Sequence, residues 1–173
     1  MSYFSVDVES DGQNFRKHSM VCFGAVVVEP SLTKTFYGQT RPTSDIWVPE
    51  ALEISGFSRE EHLTFDDPVK VMKEFEEWIN EVSIGKPIFI SDNNGYDAGW
   101  INLYFHEFND GKNPFGWSSR RIGDLWCGRE NNMFSRWKHL RTSKHTHNPV
   151  DDAKGNAEAL LAMKEMGLNA KFR

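Results

Sequence analysis

The stretch YFSVDVE (Tyr3–Glu9) alternates residue by residue: Phe4, Val6 and Val8 point to one side, and Tyr3, Ser5, Asp7 and Glu9 to the other. That alternation is a strand with one face in a core. Ser10-Asp11-Gly12-Gln13-Asn14 reads as a turn. MVCFGAVVVE (Met20–Glu29) reads as a second strand, stopped by Pro30 and Ser31, and Thr33–Thr40 as a third. Three strands with short connections predict an antiparallel meander.

The rest of the chain changes character. Residues 41–65, with Pro42 and Pro49, read as irregular. Asp67 is a candidate N-cap with Pro68 at the first helical position, and Met72, Phe75, Trp78, Ile79 and Val82 recur at helical spacing until Gly85. PIFIS (Pro87–Ser91) reads as a short buried strand. A helix follows over about Tyr96–Phe108, a fifth strand around Arg121–Leu125, and a last helix from near Asp151 to Met166, closed by Gly167. The order β-β-β-α-β-α-β-α predicts an α/β fold with a mixed five-stranded sheet flanked by helices.

The chain has 173 residues and 39% hydrophobic content, which suits one domain, residues 1–173. No apolar run has the length of a membrane span, so no membrane partner is expected. The N-terminus lacks the basic start and long apolar stretch of a signal peptide. Cys22 and Cys127 are isolated, and a reducing, cytoplasmic setting is the default. The formal charge of −5 argues against a simple polyanion binder. Yet residues 112–144 hold eight Lys and Arg against two acids, a local charge of +6, together with Phe115, Trp117, Trp126, Phe134 and Trp137. Basic residues interleaved with aromatics suit a single strand with stacked bases; a solvated loop over a few core rings is the equally simple alternative.

Asp7 and Glu9 lie two apart on a strand, so both carboxylates leave the same face. Crowded carboxylates repel unless a cation lies between them, and oxygen-only donors favour Mg²⁺ or Mn²⁺. A polar outer strand face is the plainer reading of that pair alone. Asp97 falls in the first turn of a helix that starts just beyond PIFIS, where ligands gather in open α/β sheets. In HNPVDDA (His147–Ala153) an extended loop runs into a helix opened by Asp151 and Asp152. His147 is placed to deprotonate a water there. His139, His145 and His147 also cluster, which raises zinc, but no second ligand pair has finger spacing.

Taken together, YFSVDVES, SDNNGYDAGWIN and HNPVDDAKGNAEAL resemble the three motifs of the DEDDh family of 3′→5′ exonucleases, which have a ribonuclease H-like fold. Asp7 and Glu9 match the first motif, Asn93 and Asp97 the second, and His147, Asp152 and Ala153 the third. The resemblance implies a two-metal phosphodiester hydrolase using two Mg²⁺ or Mn²⁺ ions. Asp7, Glu9, Asp97 and Asp152 would serve as metal ligands and His147 as general base. ALEISGF (Ala51–Phe57) resembles the segment that grips the terminal nucleotide, with Ser55 standing where many members carry histidine. Glu9, Ser55, Phe57 and Asn93 are therefore expected at the substrate. The short build resembles ribonuclease T, oligoribonuclease and the mycobacterial-type polyadenylate exoribonuclease, which implies single-stranded nucleic acid as partner, RNA ahead of DNA, and suggests a homodimer. A DNA-trimming exonuclease and a non-catalytic nucleic-acid-binding domain on the same fold are the competing expectations.

Overall fold

A computed structural model describes residues 1–172. Its strands are β1 (Ser2–Ser10), β2 (Met20–Val27), β3 (Thr35–Gln39), β4 (Pro87–Ser91) and β5 (Ser119–Arg121). Its helices are α1 (Pro49–Ile54), α2 (Arg59–His62), α3 (Pro68–Val82), α4 (Asn94–Phe108), α5 (Ile122–Glu130) and α6 (Pro149–Glu165), with a short 3-10 turn at Lys138–Leu140. The sheet order is β3-β2-β1-β4-β5. β2 is antiparallel to β1 and β3, whereas β4 is parallel to β1 and β5 to β4. The mixed sheet expected from the sequence is therefore present, with β1 between the meander and the parallel half.

The alternation of β1 builds two cores. Phe4, Val6 and Val8 pack with Met72, Phe75 and Ile79 of α3 and Trp100, Ile101, Tyr104 and Phe105 of α4. On the other face Val26, Ile90, Ile122 and Trp126 pack with Ala153, Ala157, Leu160 and Met163 of α6. Tyr3 joins this second core, its ring edge-on to Phe172. Asp7 and Glu9 share that face of β1, so they look toward the start of α6.

Gly24 sets how closely α6 approaches. It pairs with Asp7 across β1 and β2, and a Cβ on it would lie 2.4 Å from the main-chain carbon of Pro149 and the nitrogen of Val150. Main chain at a helix start cannot yield as a side-chain tip can. Gly24→Ala is expected to cost about 1–3 kcal/mol of stability through overpacking and to push the start of α6 off the sheet. Denaturant unfolding checks this; an unchanged midpoint would show that α6 tolerates the shift.

Three boundaries differ from expectation. The segment 41–65 contains α1 and α2, the latter opened by a capping box in which Ser58 and Glu61 exchange hydrogen bonds. The strand expected at Arg121–Leu125 ends at Arg121, and α5 begins at Ile122. Ile122, Leu125 and Trp126 recur at helical spacing, and all three pack into the second core. The last helix starts earlier than expected: Asn148 is its N-cap, accepting from the N–H groups of Val150 and Asp151, with Pro149 first in the helix. No helix among the described residues is long and apolar enough to cross a membrane.

Candidate active site

Three element ends meet beyond the carboxyl edge of the parallel half of the sheet. Asp7 and Glu9 come from the second half of β1. β4 runs beside β1 as far as the pair Ser5 and Ile90, then breaks into the turn that carries Asn93 and opens α4. Asn93 caps that helix by position, and its carbonyl accepts from Asp97 N–H at 2.9 Å. Asp97, in the first turn and 3% exposed, accepts in return from Asn93 N–H at 3.2 Å. A cavity of about 370 Å³ is lined by Asp7, Glu9, Asn93, Asp97, His145 and His147, with Ala51 and Ile54 of α1 on its wall.

Asp152 stands behind this wall and organises the loop before α6. It is 1% exposed. One carboxylate oxygen accepts from the Arg141 guanidinium at 2.8 Å, lies 2.7 Å from His145 Nδ1 and accepts from Thr146 N–H at 3.3 Å. The other accepts from His147 N–H at 2.9 Å. Gly155, one helical turn on, leaves the room that the Arg141 side chain fills; a Cβ there would sit 2.4 Å from the guanidinium. Glu158 fastens the start of the same loop, accepting from Thr142 N–H, Ser143 N–H and the Ser143 hydroxyl at 2.6–2.9 Å. His147 ends the loop in the left-handed region, φ 62°, with its ring nitrogen 3.7 Å from a Glu9 oxygen. A non-glycine residue held there carries backbone strain, a recurrent property of functional positions.

The electrostatics follow from that crowding. Burial, then the charges of Asp97, Glu9 and Asp152, hold the Asp7 carboxyl well above the usual range. Burial and Asp152 push Glu9 up to about 7, with His145 opposing. Burial raises Asp97 to about 7 against hydrogen bonds from Ser91, Asn93 and Val8. Asp152 is the exception: burial works against its charge, but the hydrogen bonds from Arg141 and His145 outweigh it and its pKa falls. An oxygen-only set that repels itself fits a hard divalent cation. Among the described residues no three His, Cys, Asp or Glu side chains close into a metal cage, and Asp152 faces Arg141 and His145 in this conformation.

Two sequence-expected substrate contacts lie elsewhere. The Ser55 hydroxyl is buried and donates to Leu52 O at 2.6 Å. Phe57 packs edge-on against Phe65 beside Leu52 and lines a neighbouring hollow with Trp47 and Arg59. Helix α1 turns Ala51 and Ile54 to the carboxylates instead. Sequence reasoning missed Arg141, Glu158 and Asp11, and weighed His145 only as part of a zinc cluster. The Asp11 side chain accepts from Arg59 at 3.0 Å and Ser19 N–H at 2.5 Å. These bonds tie the end of β1 to α2 and so fix the α1–α2 wall.

The fold and these element ends define a ribonuclease H-like protein of the kind found in metal-dependent nucleases. Solved structures agree on the fold. The nuclease domain of 3′hExo, a DEDDh family member solved bound to rAMP, matches with a TM-score of 0.77 at 15% identity over 99% of this chain and 94% of that one. Cell-death related nuclease 4 matches at 0.78 and 16% identity over 96% of this chain and 64% of that one. Escherichia coli ExoI, solved with single-stranded DNA, matches at 0.70 and 16% identity over 96% of this chain and 41% of that one. No family model matches the chain. At the level of sequence, the 3′-5′ DNA exonuclease Cap18 of Escherichia coli is 35% identical over 98% of this chain and 95% of its own length. The chain belongs to the DEDDh family of 3′→5′ exonucleases.

Proposed function

We propose that the protein is a Mg²⁺- or Mn²⁺-dependent 3′→5′ exonuclease acting on single-stranded DNA and releasing nucleoside 5′-monophosphates. The observation that carries this is the gathering of Asp7, Glu9, Asp97 and His147 on one cavity in a member of this family. The expectation of RNA rested on the small family members; the near full-length relative is named a DNA exonuclease, which favours DNA.

Asp7 and Glu9 would hold one divalent ion, with Asp152 joining them only by turning from Arg141 and His145, Asp7 would share a second, and Asp97 would support the site directly or through water. Such a pair supplies positive charge for the attacking and leaving oxygens of an in-line displacement. The side chains supply the rest. His147 accepts a proton from the attacking water as its oxygen bonds to phosphorus. The bond from phosphorus to the 3′ oxygen breaks, and that oxygen takes a proton from solvent. Ala51 and Ile54 offer an apolar surface to the terminal base. Arg141 stands as a counter-charge that keeps Asp152 ionised.

A 5′-labelled single-stranded oligonucleotide with Mn²⁺ should shorten stepwise from its 3′ end, faster as DNA than as RNA, and chelation should stop it. Absence of shortening on both polymers would remove the proposal; faster RNA shortening would reverse the substrate assignment.

Ion binding should depend on pH in a defined direction. Without metal, Glu9 and Asp97 hold protons up to about 7. The stability tied to those protons is full below the ordinary carboxylate pKa and is lost as pH rises through about 7. A cation must displace the protons, so it binds better above 7 than below. The rise in Tm on adding Mn²⁺ should therefore be larger at pH 8 than at pH 6. An equal or smaller rise at pH 8 contradicts the protonation states assigned here.

A further inference from the structure

The basic, aromatic segment 112–144 divides in the structure. Phe115, Trp126 and Trp137 are core, each no more than 5% exposed. Trp117 is exposed but lies before β5 begins, at the sheet end away from the carboxylates, with its ring stacked on His106. Phe134 is different. It is 90% exposed, beside Met133 at 81%, on the loop after α5. That loop is fastened: the Cys127 thiol donates to Met133 O and Ser135 O, and Asn132 Oδ1 accepts from Phe134 N–H at 3.0 Å. Buried Trp137 anchors its far end. An apolar ring is thus held in water by hydrogen bonds on either side of it.

Below the ring lies a groove of about 490 Å³ lined by Asn93, Arg121, Met133, Phe134, Arg136 and Lys138. Asn93 also lines the carboxylate cavity, so the two hollows meet at the turn after β4. Arg121 ends β5 at the same edge of the sheet. Lys138 and Arg121 are shared with Asp92 and Asp124 at 2.8 and 2.9 Å. Arg136 is exposed and makes no hydrogen bond or ion pair among the described residues.

We infer that this groove docks the part of the single strand 5′ to the nucleotide being removed. Bases stack on Phe134 and phosphates run past Arg136, Lys138 and Arg121. The occupant follows from charge and continuity: a polyanion with flat apolar faces, whose 3′ end sits where the groove opens at Asn93. The inference rests on the nuclease reading of the carboxylate cavity and extends it to substrate length.

The test separates the two. In an Asp7→Asn background, with Mg²⁺, a fluorescent DNA 12-mer is titrated and its anisotropy followed. Phe134→Ala should weaken binding about tenfold. Arg136→Ala should reduce the slope of log affinity against log salt by about 0.7. In the active enzyme, Phe134→Ala should raise KM for the 12-mer about tenfold but move KM for a dinucleotide less than twofold. If the unsubstituted enzyme shortens DNA while both variants match their parents in every assay, the groove assignment falls and the nuclease reading stands. If the unsubstituted enzyme shortens nothing, the nuclease reading falls, and the anisotropy arm alone decides whether the groove holds a strand. Both positions are exposed, so neither variant is expected to disturb folding.

Discussion

Asp7→Asn should lower kcat by at least about 10³-fold while leaving the metal-free protein as stable as before or more so. Asp7 has three acidic neighbours, Asp97, Glu9 and Asp152, and each raises its pKa beyond what burial does. Asparagine has the same shape without the charge, so the repulsion disappears on folding. The same change removes an anionic oxygen from the centre of the proposed cation site. Turnover and metal response should therefore fall together, while Tm without metal holds or rises. That opposition is the mark of a residue placed for chemistry at some cost in stability. Steady-state turnover on a labelled 12-mer, with Tm measured with and without Mn²⁺, checks both halves. Near-normal turnover would remove Asp7 from the mechanism, and a collapsed Tm would make it a structural residue.

Much of this arrangement is legible in the sequence, wherever a local rule acts. Asp7 and Glu9 share a face because a strand repeats every second residue. The sheet around them follows because that strand and its two successors carry their own turns. Asp97 and Asp152 announce themselves through helix-start chemistry, although the structure moves the last cap to Asn148, whereas Asn93 is marked only by the family resemblance. The α1 segment was placed by resemblance, and it delivers Ala51 and Ile54 to the cavity rather than Ser55 or Phe57.

What is not legible has no period. Arg141 reaches Asp152 across a loop whose path is set by Glu158 and by the space at Gly155. Nothing near Arg141 in sequence signals that carboxylate. The same holds for the aromatic segment, where composition shows rings and cations but not which of them the core takes. Trp126 and Trp137 enter it, and Phe134 does not. The boundary at Arg121 fails for another reason. Its four following residues contain both a strand-like apolar pair and the start of a helical repeat, and packing against α6 selects the helix.

His147 offers the sharper separation of chemistry from scaffold. Its side chain is half exposed and its ring makes no tight bond, only the 3.7 Å approach to Glu9. Its main chain does the structural work, donating to Asp152 at 2.9 Å from a left-handed conformation. Replacing the ring therefore need not disturb the carboxylates, provided the backbone is respected. Asparagine adopts the left-handed region more readily than alanine does. His147→Asn should keep the Mn²⁺-induced rise in Tm close to that of the unsubstituted protein while lowering kcat about 10²–10⁴-fold, the usual contribution of a positioned base. His147→Ala should show the same kinetic loss with a slightly lower Tm. A variant that loses metal response along with turnover would place His147 among the groups that hold the ion, and one that retains full kcat would hand the proton to another acceptor, for which His145, 4.2 Å away between ring centres, is the nearest candidate.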